Sequence, residues 1–246
     1  MNTLANWFKT PLGSIVNQAE QQMLKAHLQN LFGYHLLVIG AGETQWLDES
    51  RIPHRILIPV DHETEQDNIS HDGVSFIRGS GSQLPIETDS VDTVILQHAL
   101  DFSDNPHQVL REAERVLVPE GRILVCGFNA LSVWGLSRTL HLWRDKVPWN
   151  GKFHRTSRLK DWISLLGFEL EAHEKVFFRP PIQSDKFLDK LEFMEKVFAK
   201  ILPFSGAIYL LVAKKKVSKL IPIKPRWQSR RNTVSGWVDN ASRTKS

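Results

Sequence analysis

Five groups of residues in this 246-residue chain have types and spacing suited to chemistry, and each stands just after an apolar run: Gly40-Ala41-Gly42, Asp61-His62, Gly79-Ser80-Gly81-Ser82, Gln97-His98 and Gly127-Phe128-Asn129. Paired glycines let a chain turn tightly and let a ligand approach the backbone, where the free N–H groups of a following helix can serve an anion or a carboxylate. Asp61 offers a carboxylate able to accept both hydroxyl protons of a ribose. His98 is a candidate to orient or deprotonate a nucleophile, because imidazole titrates near neutral pH. Asn129, Ser132, Trp134 and His154, together with Trp143, Trp149 and Phe153, are candidates to line a pocket, and so many aromatic rings suit an apolar or aromatic acceptor.

Such residues need rigid elements behind them. His35 to Ile39, Arg55 to Val60, Gly73 to Ile77, Val91 to Leu96 and Arg122 to Cys126 are short apolar runs bounded by polar, Gly or Pro residues, as expected of buried parallel strands. Ile15, Ala19, Met23, Leu24, Leu28 and Leu31 recur at helical spacing before Gly33, and Val109, Leu110, Ala113, Val116 and Leu117 do so after Asn105-Pro106. Further helices are predicted over 157–166 and 184–201, and further strands over 168–178 and 206–213. Alternating strands and helices at this spacing give an α/β fold with a parallel sheet, whose ligands bind at the carboxyl ends of the strands. All five groups fall at such ends.

The ordered set resembles the class I S-adenosylmethionine-dependent methyltransferases, of the methyltransferase type 11 kind. It runs through His35-Leu-Leu-Val-Ile-Gly-Ala-Gly42, Asp61, Gln83-Leu-Pro-Ile86 before Ser90-Val-Asp-Thr-Val94, Leu110-Arg-Glu-Ala-Glu-Arg-Val-Leu-Val-Pro-Glu-Gly-Arg-Ile123 and the closing strand Ile208 to Lys214. The resemblance implies a Rossmann-like, seven-stranded mixed sheet, mostly parallel with an antiparallel last strand, and helices on both faces. It also implies S-adenosylmethionine as cofactor, held by Gly40, Ala41, Gly42, Asp61, His62, Ser80, Gly81, Ser82, Leu84 and Gln97, with His98 beside the transferred methyl and Asn129, Ser132, Trp134 and His154 on the acceptor side. Three positions depart from the pattern. Val38 replaces an acid of the first strand, Thr44 replaces the third glycine, and Ser80 stands where an aspartate commonly reads the adenine amino group.

The expected organisation is an N-terminal helical segment (1–33), a methyltransferase domain (34–214) with a Trp-rich loop (128–156), and a basic, disordered tail (215–246). That tail holds nine Lys and Arg against one acid, a net +8 that leaves −4 for the remainder. It could attract nucleic acid or an anionic membrane, or act as a solvated terminus. A lone cysteine, Cys126, excludes an internal disulfide and reads as a buried thiol, and the ten histidines show no tight ligand pattern, so no metal site is expected. No apolar stretch reaches the length of a membrane span and the start has no apolar block fit for a signal peptide, so the cytoplasm is expected by default, while the tryptophan-rich stretch suggests a small-molecule or lipid-like acceptor. Two other readings compete. A nicotinamide-dependent oxidoreductase would want the third glycine that Gly40-Ala-Gly-Glu-Thr-Gln45 lacks, and a methyltransferase fold without catalysis would tolerate all three departures.

Overall fold

The computed structural model describes residues 3–40, 45–60, 73–140, 146–181 and 205–216. Seven strands form one sheet: β1 (His35–Gly40), β2 (His54–Pro59), β3 (Val74–Phe76), β4 (Val91–Gln97), β5 (Leu117–Phe128), β6 (Phe168–Val176) and β7 (Ile208–Lys215). Their order is β3-β2-β1-β4-β5-β7-β6. The pairs among β1 to β5 are parallel, and β7 runs antiparallel to both β5 and β6. This is the expected mixed sheet.

Each interior strand sends alternate residues to opposite faces. Leu36 and Val38 of β1 join Leu124, Cys126 and Phe128 of β5 on one side, under the N-terminal helices α1 (Leu4–Phe8) and α2 (Pro11–Leu28). Leu37 and Ile39, with Ile123 and Val125, join the other side under α3 (Pro106–Val116) and α5 (Thr156–Leu165). A short helix, α4 (Val133–Thr139), follows β5. Val38, one of the three departures from the expected pattern, is 1% exposed and part of the apolar core.

Local chemistry explains the element ends. Thr10 caps α2 by accepting the Gly13 N–H at 3.1 Å, with Pro11 in the first helical position, and Asn105 caps α3 with Pro106 placed likewise. Asp92 accepts the N–H groups of Tyr34 and His35 at 2.8 and 2.9 Å, which ties the start of β4 to the start of β1. Gly33 is required there, since a Cβ on it would lie 2.4 Å from the Asp92 side chain and its φ is +152°. Lys215, counted with the basic tail in the sequence, instead closes β7: its Nζ donates to the Glu114 and Leu117 carbonyls at the end of α3 and pairs with Asp89. The predicted helix 184–201, Trp143, and the tail from residue 217 lie outside the described residues. Among the described residues no helix is long and apolar enough to cross a membrane.

Candidate functional site

The carboxyl ends of β1 and β4 meet. Gly40 is the last residue of β1, and its backbone bridges to His98, just past β4. A side chain on Gly40 would place Cβ 2.8 Å from the Gln97 Cβ, so the close approach of these two strands requires glycine. His98 has φ +55°, a left-handed conformation uncommon outside glycine and a form of strain that clusters at functional sites. Its N–H donates to the Cys126 carbonyl and its own carbonyl accepts from Asp101 and Phe102, which closes a tight turn after β4.

That turn carries a buried polar cluster. The two ring nitrogens of His98 are both engaged: Nε2 pairs with Glu20 Oε1 at 2.8 Å and Nδ1 with Asp101 Oδ2 at 2.9 Å. Gln97 donates its amide to the other Glu20 oxygen at 3.2 Å, and the Phe128 N–H donates to Asp101 Oδ2 at 2.9 Å. All four of these side chains are at most 3% exposed. Burial alone would push the imidazole pKa down, but two flanking carboxylates outweigh it and hold His98 up at about 10. The same carboxylates, added to burial, raise the Cys126 thiol well above its usual value.

Two consequences revise the expected roles. His98 is an imidazolium at neutral pH with no free lone pair, and its side chain is wholly buried against Phe128 and Phe8, so in this arrangement it is no general base. Glu20, which the sequence reading passed over, is the third member of the cluster. Its signal was present, because Leu12, Val16, Glu20, Leu24 and Leu28 follow one another four residues apart, all on the buried face of α2. An acid in the middle of such a stripe needs a partner inside the protein.

The segment after β3 is also anchored. Leu84 is buried, its N–H donates to Glu112 Oε2, and its carbonyl accepts from Arg115. Arg115 additionally holds the Ile86 carbonyl and the Thr88 hydroxyl while pairing with Glu112, whose carboxyl is thereby held below its usual pKa. Two of the blocks that carry the resemblance, 83–86 and 110–123, are therefore physically joined. Ser80 is exposed and its hydroxyl meets that of Ser82 at 2.8 Å, while Gly81 lies close to Ile39 and Val109. Ala41, Gly42, Asp61 and His62 lie outside the described residues.

Beyond the end of β5, three of the four candidate acceptor residues, Asn129, Ser132 and Trp134, are buried. Asn129 is fully buried, donating to the Gly206 carbonyl and accepting from the Leu131 N–H, which joins the ends of β5 and β7. Ser132 caps α4, Trp134 is fully buried and donates to the Arg179 carbonyl, and His154 reaches the Leu100 carbonyl at 3.2 Å. Trp134 stacks between Phe128 and Trp149 and meets Trp7 edge-on. As placed, Asn129, Ser132 and Trp134 have no side chain free for an acceptor, because each closes a turn or fills the core. Against the expectation of no metal, one cluster among the described residues brings ligand atoms together: those of Glu20, His98 and Cys126 lie within 4.8 Å of one another.

This sheet, with a glycine-ended first strand beside the turn after the fourth, has the Rossmann-like fold of the class I S-adenosylmethionine-dependent methyltransferases. Residues 39–125 match the family described as a methyltransferase domain. The chain is 29% identical over 225 residues to the uncharacterised protein YafS of Escherichia coli strain K12, covering 91% of this chain and 85% of that one. It is 32% identical over 71 residues to the demethylmenaquinone methyltransferase of Streptomyces griseus, a match that spans 29% of this chain and 30% of the enzyme. A Haloferax volcanii chain solved in complex with a methyltransferase activator superposes with a TM-score of 0.64 at 16% identity, covering 87% of this chain and 98% of that one.

Proposed function

We propose that this chain transfers the methyl group of S-adenosylmethionine to a small or lipid-like acceptor. The observation that supports this most is the junction of β1 and β4, where a side chain on Gly40 would strike Gln97 and where a backbone bridge to His98 brings a buried polar cluster to the glycine end. When bound, the cofactor supplies a methyl already activated by its sulfonium. The residues of this chain then have to bind, align and exclude water rather than activate the donor. Gly40, Gln97, Ser80, Gly81, Ser82 and Leu84 form the cofactor side in this reading, completed by Ala41, Gly42, Asp61 and His62.

The acceptor side is supported by two features. Leu131, Val133, Leu136 and Leu140 are exposed apolar residues on and around α4, just beyond the end of β5, which gives an apolar surface next to the aromatic cluster of Phe128, Trp134 and Trp149. The segment shared with a demethylmenaquinone methyltransferase points the same way. His98, being protonated, positions rather than deprotonates, so an acceptor that ionises or carries its own lone pair suits the site. The basic tail would add attraction to an anionic membrane or to nucleic acid.

Calorimetry with S-adenosylhomocysteine and NADH tests the cofactor: binding of the first alone is expected, and binding of NADH alone would overturn the reading. Incubation with methyl-labelled S-adenosylmethionine and a cell extract, followed by solvent partition, tests the acceptor. Label in the organic phase is the expected result, whereas label in RNA or protein would replace the acceptor class. Persistence of vesicle or RNA binding after truncation beyond Lys216 would show that the tail is not the cause.

A further inference from the structure

Among the described residues, half of the exposed large apolar side chains stand together just past β5: Leu131, Val133, Leu136 and Leu140, each between 45 and 61% exposed. Three of them form a stripe. Val133, Leu136 and Leu140 recur at the i, i+3 and i+7 spacing of one face of α4 and its C-cap, while Trp134, Gly135 and Ser137 are buried. Scattered apolar residues on a surface are ordinary, but a contiguous group marks a contact with another body. Positive charge surrounds this one. The described residues of 129–140 and 146–160 hold six Lys and Arg and no acid, in a chain whose first 214 residues carry a net −4. Of the six, only Lys152 pairs with a carboxylate among the described residues, that of Asp104. Two turns bring cations to α4. The Trp149 indole donates to the Ser137 hydroxyl and Arg138 donates to the Trp149 carbonyl, which seats the turn that begins at the exposed Lys146 against the helix. The Ala130 N–H donates to the His154 carbonyl, which sets the exposed Arg155 beside the start of the stripe.

Aliphatic side chains flanked by cations match the surface of a bilayer with anionic headgroups, where leucines enter the boundary between headgroups and acyl chains and Lys and Arg stay among the phosphates. Other partners fit less well. RNA offers nothing to exposed leucines, and the rings that could stack on its bases, Trp134 and Trp149, are buried. A second copy meeting this face with its own would oppose like charges. We propose that the α4 stripe, with Arg138, Lys146 and Arg155, docks the protein on an anionic lipid surface. This deepens, and rests on, the reading of the chain as a methyltransferase of a lipid-like acceptor. Because α4 directly follows β5, docking puts the carboxyl ends of the strands, where ligands of an open α/β sheet bind, next to the bilayer. An acceptor dissolved in lipid then reaches the site without crossing water. The basic tail adds attraction at a distance, which salt screens, and the apolar stripe holds the protein at contact.

Sedimentation of the full chain with vesicles of phosphatidylcholine, with and without phosphatidylglycerol, measures this. Binding to the anionic vesicles alone is expected, weakened about tenfold or more by Leu136→Ser with Leu140→Ser, which remove apolar surface and no charge. Lys146→Gln with Arg155→Gln should weaken it several-fold and make it less sensitive to salt. Absence of vesicle binding by the wild type overturns the proposal, as does equal binding by the serine variant, which would leave the tail as the anchor. A wild-type dimer or an RNA complex that the serine variant abolishes, with vesicle binding unchanged, would overturn it in favour of that partner. A melting temperature lowered in the serine variant as far as by a core substitution would also overturn it, by showing that the chain itself covers the stripe. Calorimetry with S-adenosylhomocysteine on the same samples keeps the two readings apart. No cofactor binding with vesicle binding intact overturns the methyltransferase reading and leaves the docking, whereas cofactor binding without vesicle binding overturns the docking alone.

Discussion

Glu20 on α2 and His98 after β4, 78 residues apart in the chain, meet at 2.8 Å with both side chains fully buried. The contact binds the N-terminal helices to the strand ends that form the site, so α2 is part of the site's construction and not an appendage. Phe8 of α1, 5.9 Å from the His98 ring, extends the same cover.

Breaking that pair is expected to be severe. Glu20→Ala leaves the imidazolium with one carboxylate and Gln97 without its acceptor, and removal of one partner of a buried pair typically costs about 3–5 kcal/mol. Urea unfolding followed by tryptophan fluorescence would read this directly. A loss under about 1 kcal/mol would mean that the pair is solvated in solution.

Stability should fall on both sides of a maximum near neutral pH. His98 has its folded pKa raised from 6.5 to about 10, so its contribution is complete below about pH 6.5 and is lost as pH rises toward 10. The buried Cys126 thiol and Tyr209 hydroxyl, both raised, add to that alkaline loss once their unfolded counterparts ionise. His173 acts in the opposite direction. Burial and the nearby Lys160 and Lys175 depress it to about 4, so the stability it lends is lost as pH falls from 6.5 toward 4. Urea midpoints across pH 4 to 10 should trace the two limbs, and His98→Gln should flatten the alkaline one between pH 6.5 and 9.

Arg115→Ala should separate the loop 83–88 from α3. It removes bonds to the Leu84 and Ile86 carbonyls, to Thr88 and to Glu112, and leaves the Glu112 carboxylate with the Leu84 N–H alone. With Arg115 about one-third exposed, a loss of about 1–2 kcal/mol is expected, together with weaker cofactor binding by calorimetry. Unchanged affinity would place this loop away from the cofactor.

Gly40→Ala tests the junction of β1 and β4. The new methyl would stand 2.8 Å from the Gln97 Cβ and 3.2 Å from its carbonyl oxygen, so the strand ends must part. Overpacking of this kind costs about 1–3 kcal/mol, and cofactor affinity should drop by more than the stability loss alone would suggest. Retention of both would show that the two strands can shift without consequence.

The positions of the strands along the chain, the glycine at the end of β1 and the Asn105-Pro106 start of α3 were legible in the sequence, because period, caps and turn residues act over a few neighbouring positions, while the antiparallel last strand came with the family resemblance. The acidic body and basic tail were legible too, although only the fold shows Lys215 closing β7 at the end of α3. The roles of His98, Trp134 and Asn129 were not, since a polar or aromatic residue after a strand reads the same whether it faces a ligand or the core. Only the tertiary structure decided that. It set Glu20 and Asp101 on either side of His98, and two carboxylates in a place without water keep on the imidazole the proton that a base would have had to give up.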